Sequence, residues 1–256
     1  MPHNPMINAG AIMVASLIRP ELNLADRYDY IQNIYRKLTG GLYVGFNNSV
    51  YLSEREAADR NFALGHYMKE NDCFPENTNL DSALEFYFQL CSLETKPDAH
   101  AVMAATLANG GICPITGEQV FKEDSVKHML SLMLSCGMYD YSGQFAFKIG
   151  LPAKSGVSGA IIVVVPNVMG ICIYSPRLDK LGNSARGLLF CDKLLSIFNF
   201  HHFDRHHDFS YTTSTSTIIQ HYYKKSAHVK SKKAFNIQAK KLTLGDICLN
   251  LRKLTL

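Results

Sequence analysis

The sequence predicts an α+β fold, mostly helical, with a small antiparallel sheet late in the chain. Three observations carry that expectation. Apolar residues recur at helical spacing in successive segments between Asn8 and Cys136, and two β-rich runs, 157–165 and 168–174, meet at Pro166-Asn167 as a hairpin. Helical spacing then returns from Ser184 to Phe200. A chain of 256 residues, 47% apolar and 19% charged, has enough material for one sizeable core.

The elements follow in order. Small apolar residues from Asn8 read as a buried helix ended by Arg19-Pro20, because proline cannot continue a helix. Tyr28 to Leu38 is amphipathic and closes at Gly40-Gly41, and Asn47-Asn48-Ser49 is a turn signal. Ser53-Glu54-Arg55-Glu56 fits a capping box, so a helix is expected from Ser53 unbroken to about Glu70. On such a helix Glu54 and Asn61 lie two turns apart on one face. A carboxylate and a carboxamide stacked that way suit an amine and a polar group of one ligand; they equally suit a solvated helix face.

Asn79 or Asp81 can cap the next helix, on which Leu80, Leu84, Tyr87, Phe88 and Cys91 fall at helical spacing, with Tyr87 as a half-buried core tyrosine. Ala99 to Asn109 ends at Gly110-Gly111, and Glu123 to Cys136 ends at Gly137. Tyr139 therefore falls in a turn just past a helix end, where a side chain can face a cleft.

Composition excludes several classes. No apolar run approaches the roughly 18–20 residues of a membrane-spanning helix, and the longest, Ala160 to Val165, is strand-sized. The opening MPHNPMIN lacks the basic and hydrophobic regions of a secretory signal. Seven cysteines without C-x-x-C spacing argue against a disulfide framework or a zinc ribbon, and imply reduced thiols inside a cell. Residues 201–256 hold ten Lys/Arg against three Asp, a balance of +7, while the first 200 balance to −3. That end also carries His201-His202, His206-His207 and a Thr/Ser repeat, and is expected to be a disordered basic tail; neither a metal site nor a nucleic-acid surface is expected there. The expected division is residues 1–200 as the folded domain and 201–256 as the tail.

The stretch SCGMYDYSGQFAFKIGLPAKSGVSGAIIVVVP, from Ser135 to Pro166, joins Tyr139 to Lys154-Ser155-Gly156 at the mouth of an apolar strand. Lys-[Ser/Thr]-Gly on a strand edge is one part of the active site of serine acyl-transfer enzymes of the penicillin-binding type. The other part, a serine three residues before a lysine, occurs nowhere in the 256 residues.

Five blocks in order make the sequence similar to the glutaminase family, closest to the animal kidney- and liver-type enzymes, over about Pro2 to Phe200. They are PHNPMINAGAI (Pro2–Ile12), YLSEREAADRNFA (Tyr51–Ala63), FPENTNLDSALEFYFQLCS (Phe74–Ser92), AATLANGGICPITGE (Ala104–Glu118) and the run from Ser135 to Pro176 with GLPAKSGV. The resemblance implies a serine β-lactamase-like fold and hydrolysis of L-glutamine to L-glutamate and ammonia. In the family an S-x-x-K serine attacks the side-chain carboxamide and leaves a γ-glutamyl ester that water cleaves. It also implies the site. Asn8, Glu54, Asn61, Tyr87, Tyr139 and Val157 would contact substrate, Glu54 facing the α-ammonium and the Val157 N–H serving the oxyanion hole. Tyr139 would move a proton, with Lys154 as the cation a phenol of ordinary pKa near ~10 needs to act as a base.

Neither cofactor nor metal is implied. Inorganic phosphate is implied as activator, a homodimer or homotetramer through helices including Asp59–Glu70 as the assembly, and the mitochondrion as location; neither nucleic acid nor membrane is an expected partner. The family's S-x-x-K precedes its N-P-M-x-N-A-G block, so the chain is expected to be N-terminally truncated, and nothing after Phe203 resembles the T-P-L-H-x-A ankyrin repeats of larger members. The alternative reading is an inactive short product that binds glutamine or assembles with full-length subunits; a penicillin-binding-type acylase fits the substrate-contact blocks less well. The 256 residues alone are expected to release no ammonia from L-glutamine, and measurable release in a coupled assay would refute this.

Overall fold

Two helical layers enclose a three-stranded antiparallel sheet, and a bundle of five helices packs alongside. The computed structural model describes residues 4–204. Of the expected basic tail, His201 to Asp204 are described and bond back to the body through His202 N–H to the Gly150 carbonyl, while residues 205–256, with the histidine pair His206-His207, lie outside the described residues.

The bundle comprises α1 (Asn8–Leu17), α2 (Leu24–Leu38), α3 (Asn48–Glu56), α4 (Asp59–Glu70) and α5 (Leu80–Cys91), with a short ribbon of β1 (Val44–Phe46) on β2 (Leu93–Thr95). Its core holds Ile12, Ala15, Leu84, Phe86 and Phe88, contributed by α1 and α5. Arg27 locks α1 in place. Its guanidinium is buried, donates to the carbonyls of Ala15 and Ile18 at the open end of α1, and lies 4.2 Å from the Phe86 ring centroid. The Ala15 carbonyl otherwise accepts only the long 3.4 Å bond from the Ile18 cap N–H, so a buried cation completes the helix end while favouring the negative end of the helix dipole. Burial pulls its pKa below the usual arginine value.

The second half runs α6 (Pro97–Ala108), α7 (Glu123–Cys136), a 3₁₀ turn Tyr139–Tyr141, α8 (Ser142–Lys148), β3 (Ala153–Ser155), β4 (Ala160–Val165), β5 (Met169–Tyr174) and α9 (Ala185–Ile197). Strand order is β3-β4-β5, with Val163 opposite both Ala153 and Ile171. Side chains alternate across the sheet. Ile161, Val163 and Val165 pack against α8 and α9 through Phe145, Cys191 and Leu194, whereas Val164 and Ile162 face α6 and α7 through Ala104, Leu107 and Met133. Burial on both faces explains why β4 reads AIIVVV without a polar residue.

One expectation is corrected. Ser53 caps nothing: it sits inside α3, whose cap is Asn47, accepting from the Val50 N–H at 3.1 Å. The helix then breaks at Ala57-Ala58, and a new one starts at Asp59. Ala58 is 1% exposed and part of the bundle core, while α3 buries no residue at all. Burying one alanine outweighs the local preference of EREAADRN to remain helical. Glu54 and Asn61 therefore stand on two helices, not on one face of one helix. Smaller differences are an earlier start for α2, capped by Asn23, and the three-residue strands β1, β2 and β3, too short to announce themselves by alternation. The Asn79, Gly137 and Ser184 boundaries fall where the sequence puts them.

Candidate active site

Where the bundle meets the sheet lies a cleft of about 360 Å³ lined by Asn4, Ile7, Tyr139, Asp140, Val157, Leu181 and Gly182. Of the expected site residues Tyr139 and Val157 line this cleft, whereas Asn8, Glu54, Asn61 and Tyr87, from four helices of the bundle, do not. Asn8 opens α1 directly after Ile7, and its Nδ2 donates to Asn61 Oδ1 at 3.0 Å. Asn61 lies buried in the first turn of α4. Glu54 comes from α3 and Tyr87 from the buried face of α5. Burial pushes the Tyr87 phenol well above its ordinary range; Cys91, Glu54 and Tyr139 push it further, which places all three within electrostatic reach of it.

Tyr139 stands between this group and the sheet. It follows the end of α7 with φ +53°, in the left-handed region that non-glycine residues avoid. Lys154, on β3, lies over its ring with Nζ 4.6 Å from the centroid and donates to the Ser155 carbonyl. The cation expected beside Tyr139 thus neighbours its ring, in a cation–π contact. Burial accordingly raises the Tyr139 pKa and lowers that of Lys154 to about 8. At neutral pH both phenols are hydrogen-bond donors, not bases.

Val157 occupies the turn between β3 and β4, where Gly156 N–H bonds the Ala160 carbonyl. Its side chain is 71% exposed on the cleft rim, and its own N–H has no acceptor among the described residues. Ser155 is 1% exposed with its hydroxyl buried, so it offers no nucleophile to the cleft. Sequence reasoning missed Asn4, Asp140, Leu181 and Gly182. The last two belong to Asp179-Lys-Leu-Gly-Asn183, where Asp179 Oδ1 accepts from the N–H groups of Leu181 and Asn183, each at 2.9 Å. An Asp at the head of such a turn was the available signal.

The set comprises one carboxylate, two carboxamides, two protonated phenols and a free backbone N–H on the rim. Such groups match an α-amino acid with a polar side chain: the carboxylate meets an ammonium, the donors meet carboxylate or carbonyl oxygens. Among the described residues no group of three or more His, Cys, Asp or Glu is arranged to hold a metal, and no helix is long and apolar enough to cross a membrane.

The chain is similar to known proteins. The glutaminase family model matches residues 1–203. A putative glutaminase 2 of Caenorhabditis elegans is 62% identical over 204 residues, 79% of this chain and 34% of that protein. The mitochondrial liver isoform of Rattus norvegicus glutaminase is 58% identical over 204 residues, 80% of this chain and 34% of that protein. Among solved structures, a probable glutaminase from Bacillus subtilis complexed with 6-diazo-5-oxo-L-norleucine aligns with a TM-score of 0.74 at 36% identity, covering 78% of this chain and 67% of that one. The chain thus spans about a third of the length of the curated animal relatives it matches.

Proposed function

This chain belongs to the glutaminase family and has its serine β-lactamase-like fold, and on that premise we propose that it forms the substrate-binding wall of an enzyme converting L-glutamine and water to L-glutamate and ammonia. What supports the reading is the pairing of Asn8, directly after the cleft residue Ile7, with Asn61, together with the electrostatic reach of Glu54 and Tyr139 to Tyr87. Glu54 takes the α-ammonium of the substrate. Asn8, Asn61 and the Tyr87 hydroxyl take its α-carboxylate, which leaves the carboxamide directed at Tyr139 and the cleft.

There the Val157 N–H serves the oxygen that becomes negative when the carbonyl is attacked, and stabilising that charge is the largest single contribution to such reactions. Tyr139, kept protonated by burial, gives its proton to the departing nitrogen and takes up the one the serine releases; in the second step it passes a proton from the attacking water back to the serine oxygen. Lys154 acts on Tyr139 by holding its ring from the sheet side. The attacking oxygen is the serine of the family's S-x-x-K element, which none of the 256 residues supplies. No cofactor or metal enters this chemistry.

The other properties rest on the family. Homo-oligomer formation is supported by α4, whose Tyr67 is 67% exposed, and the mitochondrion by the rat relative's name. Activation by inorganic phosphate follows from the resemblance alone. The test is calorimetry with L-glutamate and L-glutamine. Glu54→Ala is expected to weaken binding about tenfold, since a charge-assisted hydrogen bond contributes about 1.5 kcal/mol or more. Unchanged affinity in a folded Glu54→Ala would remove Glu54 from the site.

A further inference from the structure

Tyr139 adopts φ +53° with a bulky side chain, so something outside its own backbone preference must hold it there. Three peptide groups around it are each held by a side chain. Ser142 Oγ accepts from the Met138 N–H at 3.0 Å and donates to the Tyr139 carbonyl at 2.6 Å, closing a loop across the left-handed residue. Asn183 Nδ2 donates to the Met138 carbonyl at 3.2 Å. Both side chains are buried, Asn183 completely and Ser142 at 7% exposure. The reverse amide orientation of Asn183 would set its oxygen against the Met138 carbonyl, so the donor direction is fixed by repulsion.

Asn183 is itself anchored. Its N–H bonds Asp179 Oδ1 at 2.9 Å and its carbonyl accepts from the Asp179 N–H at 2.7 Å, which fixes the loop whose Leu181 and Gly182 line the cleft. A Cβ on Gly182 would lie 3.8 Å from the Tyr139 ring, so the loop backbone forms a wall against that ring. Asn183 keeps its Oδ1 buried without a partner among the described residues. An amide with one buried end unsatisfied is costly for folding alone.

We infer that Ser142 and Asn183 are positioning residues for Tyr139: together they clamp its backbone in the left-handed conformation and so keep its phenol turned into the cleft. The inference rests on the reading that Tyr139 serves the site, but it can be tested without any ligand. The titratable groups around Tyr139 are the Lys154 ammonium over its ring, the Tyr87 phenol within electrostatic reach and Asp140 on the same cleft, and none is altered by the test.

The experiment is a pH titration of the full chain labelled with ring-¹³C tyrosine, the Tyr139 resonance being assigned by its loss in Tyr139→Phe. In the parent chain the Tyr139 midpoint is expected to lie above about 10, the ordinary value. Ser142→Ala and Asn183→Ala are expected to bring it back towards about 10 and to move the ring resonance, as the phenol swings into water. Ser142→Thr, which keeps the hydroxyl, is expected to restore both. A loss of thermal stability in Ser142→Ala with the Tyr139 titration unmoved would overturn the inference, since a purely structural role predicts that outcome. Ser142→Ala removes a single oxygen, and it decides the matter if Asn183→Ala does not fold.

Discussion

Gly137→Ala is expected to destabilise the chain by about 4 kcal/mol, a large share of the stability of an ordinary domain. The reason is space and not backbone freedom, because Gly137 has φ −77° and ψ −11°, a conformation open to alanine. A Cβ at this position would stand 1.7 Å from the Ala153 carbonyl oxygen and 2.9 Å from its carbon. Both are backbone atoms of β3, and the Gly137 carbonyl accepts from the Ser155 N–H at 3.0 Å. Adding a methyl therefore drives the end of α7 away from β3. Overpacking usually costs about 1–3 kcal/mol, and more where the neighbour is backbone that cannot turn aside.

The effect reaches the site directly. Gly137 precedes Tyr139 by two residues, and Ala153 precedes Lys154 by one, so the same displacement separates the lysine from the ring it covers. The control is Gly143→Ala, at an exposed position of α8 where a Cβ meets nothing within 4 Å. Alanine there is expected to raise stability by up to about 1 kcal/mol through helix propensity. Urea denaturation of both variants measures the contrast. A Gly137→Ala within about 1 kcal/mol of the parent would mean that α7 and β3 are not in the contact described.

What could be read from the sequence and what could not divide along the line between local and distant causes. Asn79 and Gly137 mark helix ends through hydrogen bonds and turns within a few residues, and the structure keeps both boundaries. The capping box at Ser53 is an equally sound local signal, yet it loses to the burial of Ala58 against residues from α1 and α5. Glu54, Asn61 and Tyr87 were visible as residue types, and the family blocks supplied their grouping. Their placement is tertiary: it depends on α1, α3 and α4 each packing on α5, for which no spacing rule exists. The Tyr139 conformation is hidden for another reason. Glycine advertises a left-handed residue, whereas a tyrosine held there by Ser142 and Asn183 carries no sign of it in the sequence.

Lys154→Met is expected to stabilise the fold by about 2 kcal/mol at pH 7, the opposite of what most single substitutions do to stability. Burial lowers the pKa of Lys154 from 10.5 to about 8, so at neutral pH the folded chain carries a partly desolvated charge that the unfolded chain keeps in water. A shift of that size corresponds to about 3 kcal/mol, of which the lost cation–π contact with Tyr139 returns about 1. Methionine matches the lysine stem in length and packs its sulfur against the ring.

The pH dependence fixes the sign. Below pH 8 both states hold the proton and the penalty on the folded state is complete. Between about 8 and 10.5 the unfolded chain binds a proton that the folded chain does not, so parental stability rises with pH relative to the variant. Above 10.5 the lysine is neutral in both states and the penalty is gone. The stability difference between Lys154→Met and the parent is thus expected to be greatest below pH 8 and to close by pH 10.5, as read from urea midpoints across that range. A difference independent of pH would mean that the ammonium is not desolvated by its place on β3. A lysine expected to weaken the fold while covering the ring of Tyr139 suits the role proposed for it, since groups kept for chemistry often break a local rule of folding.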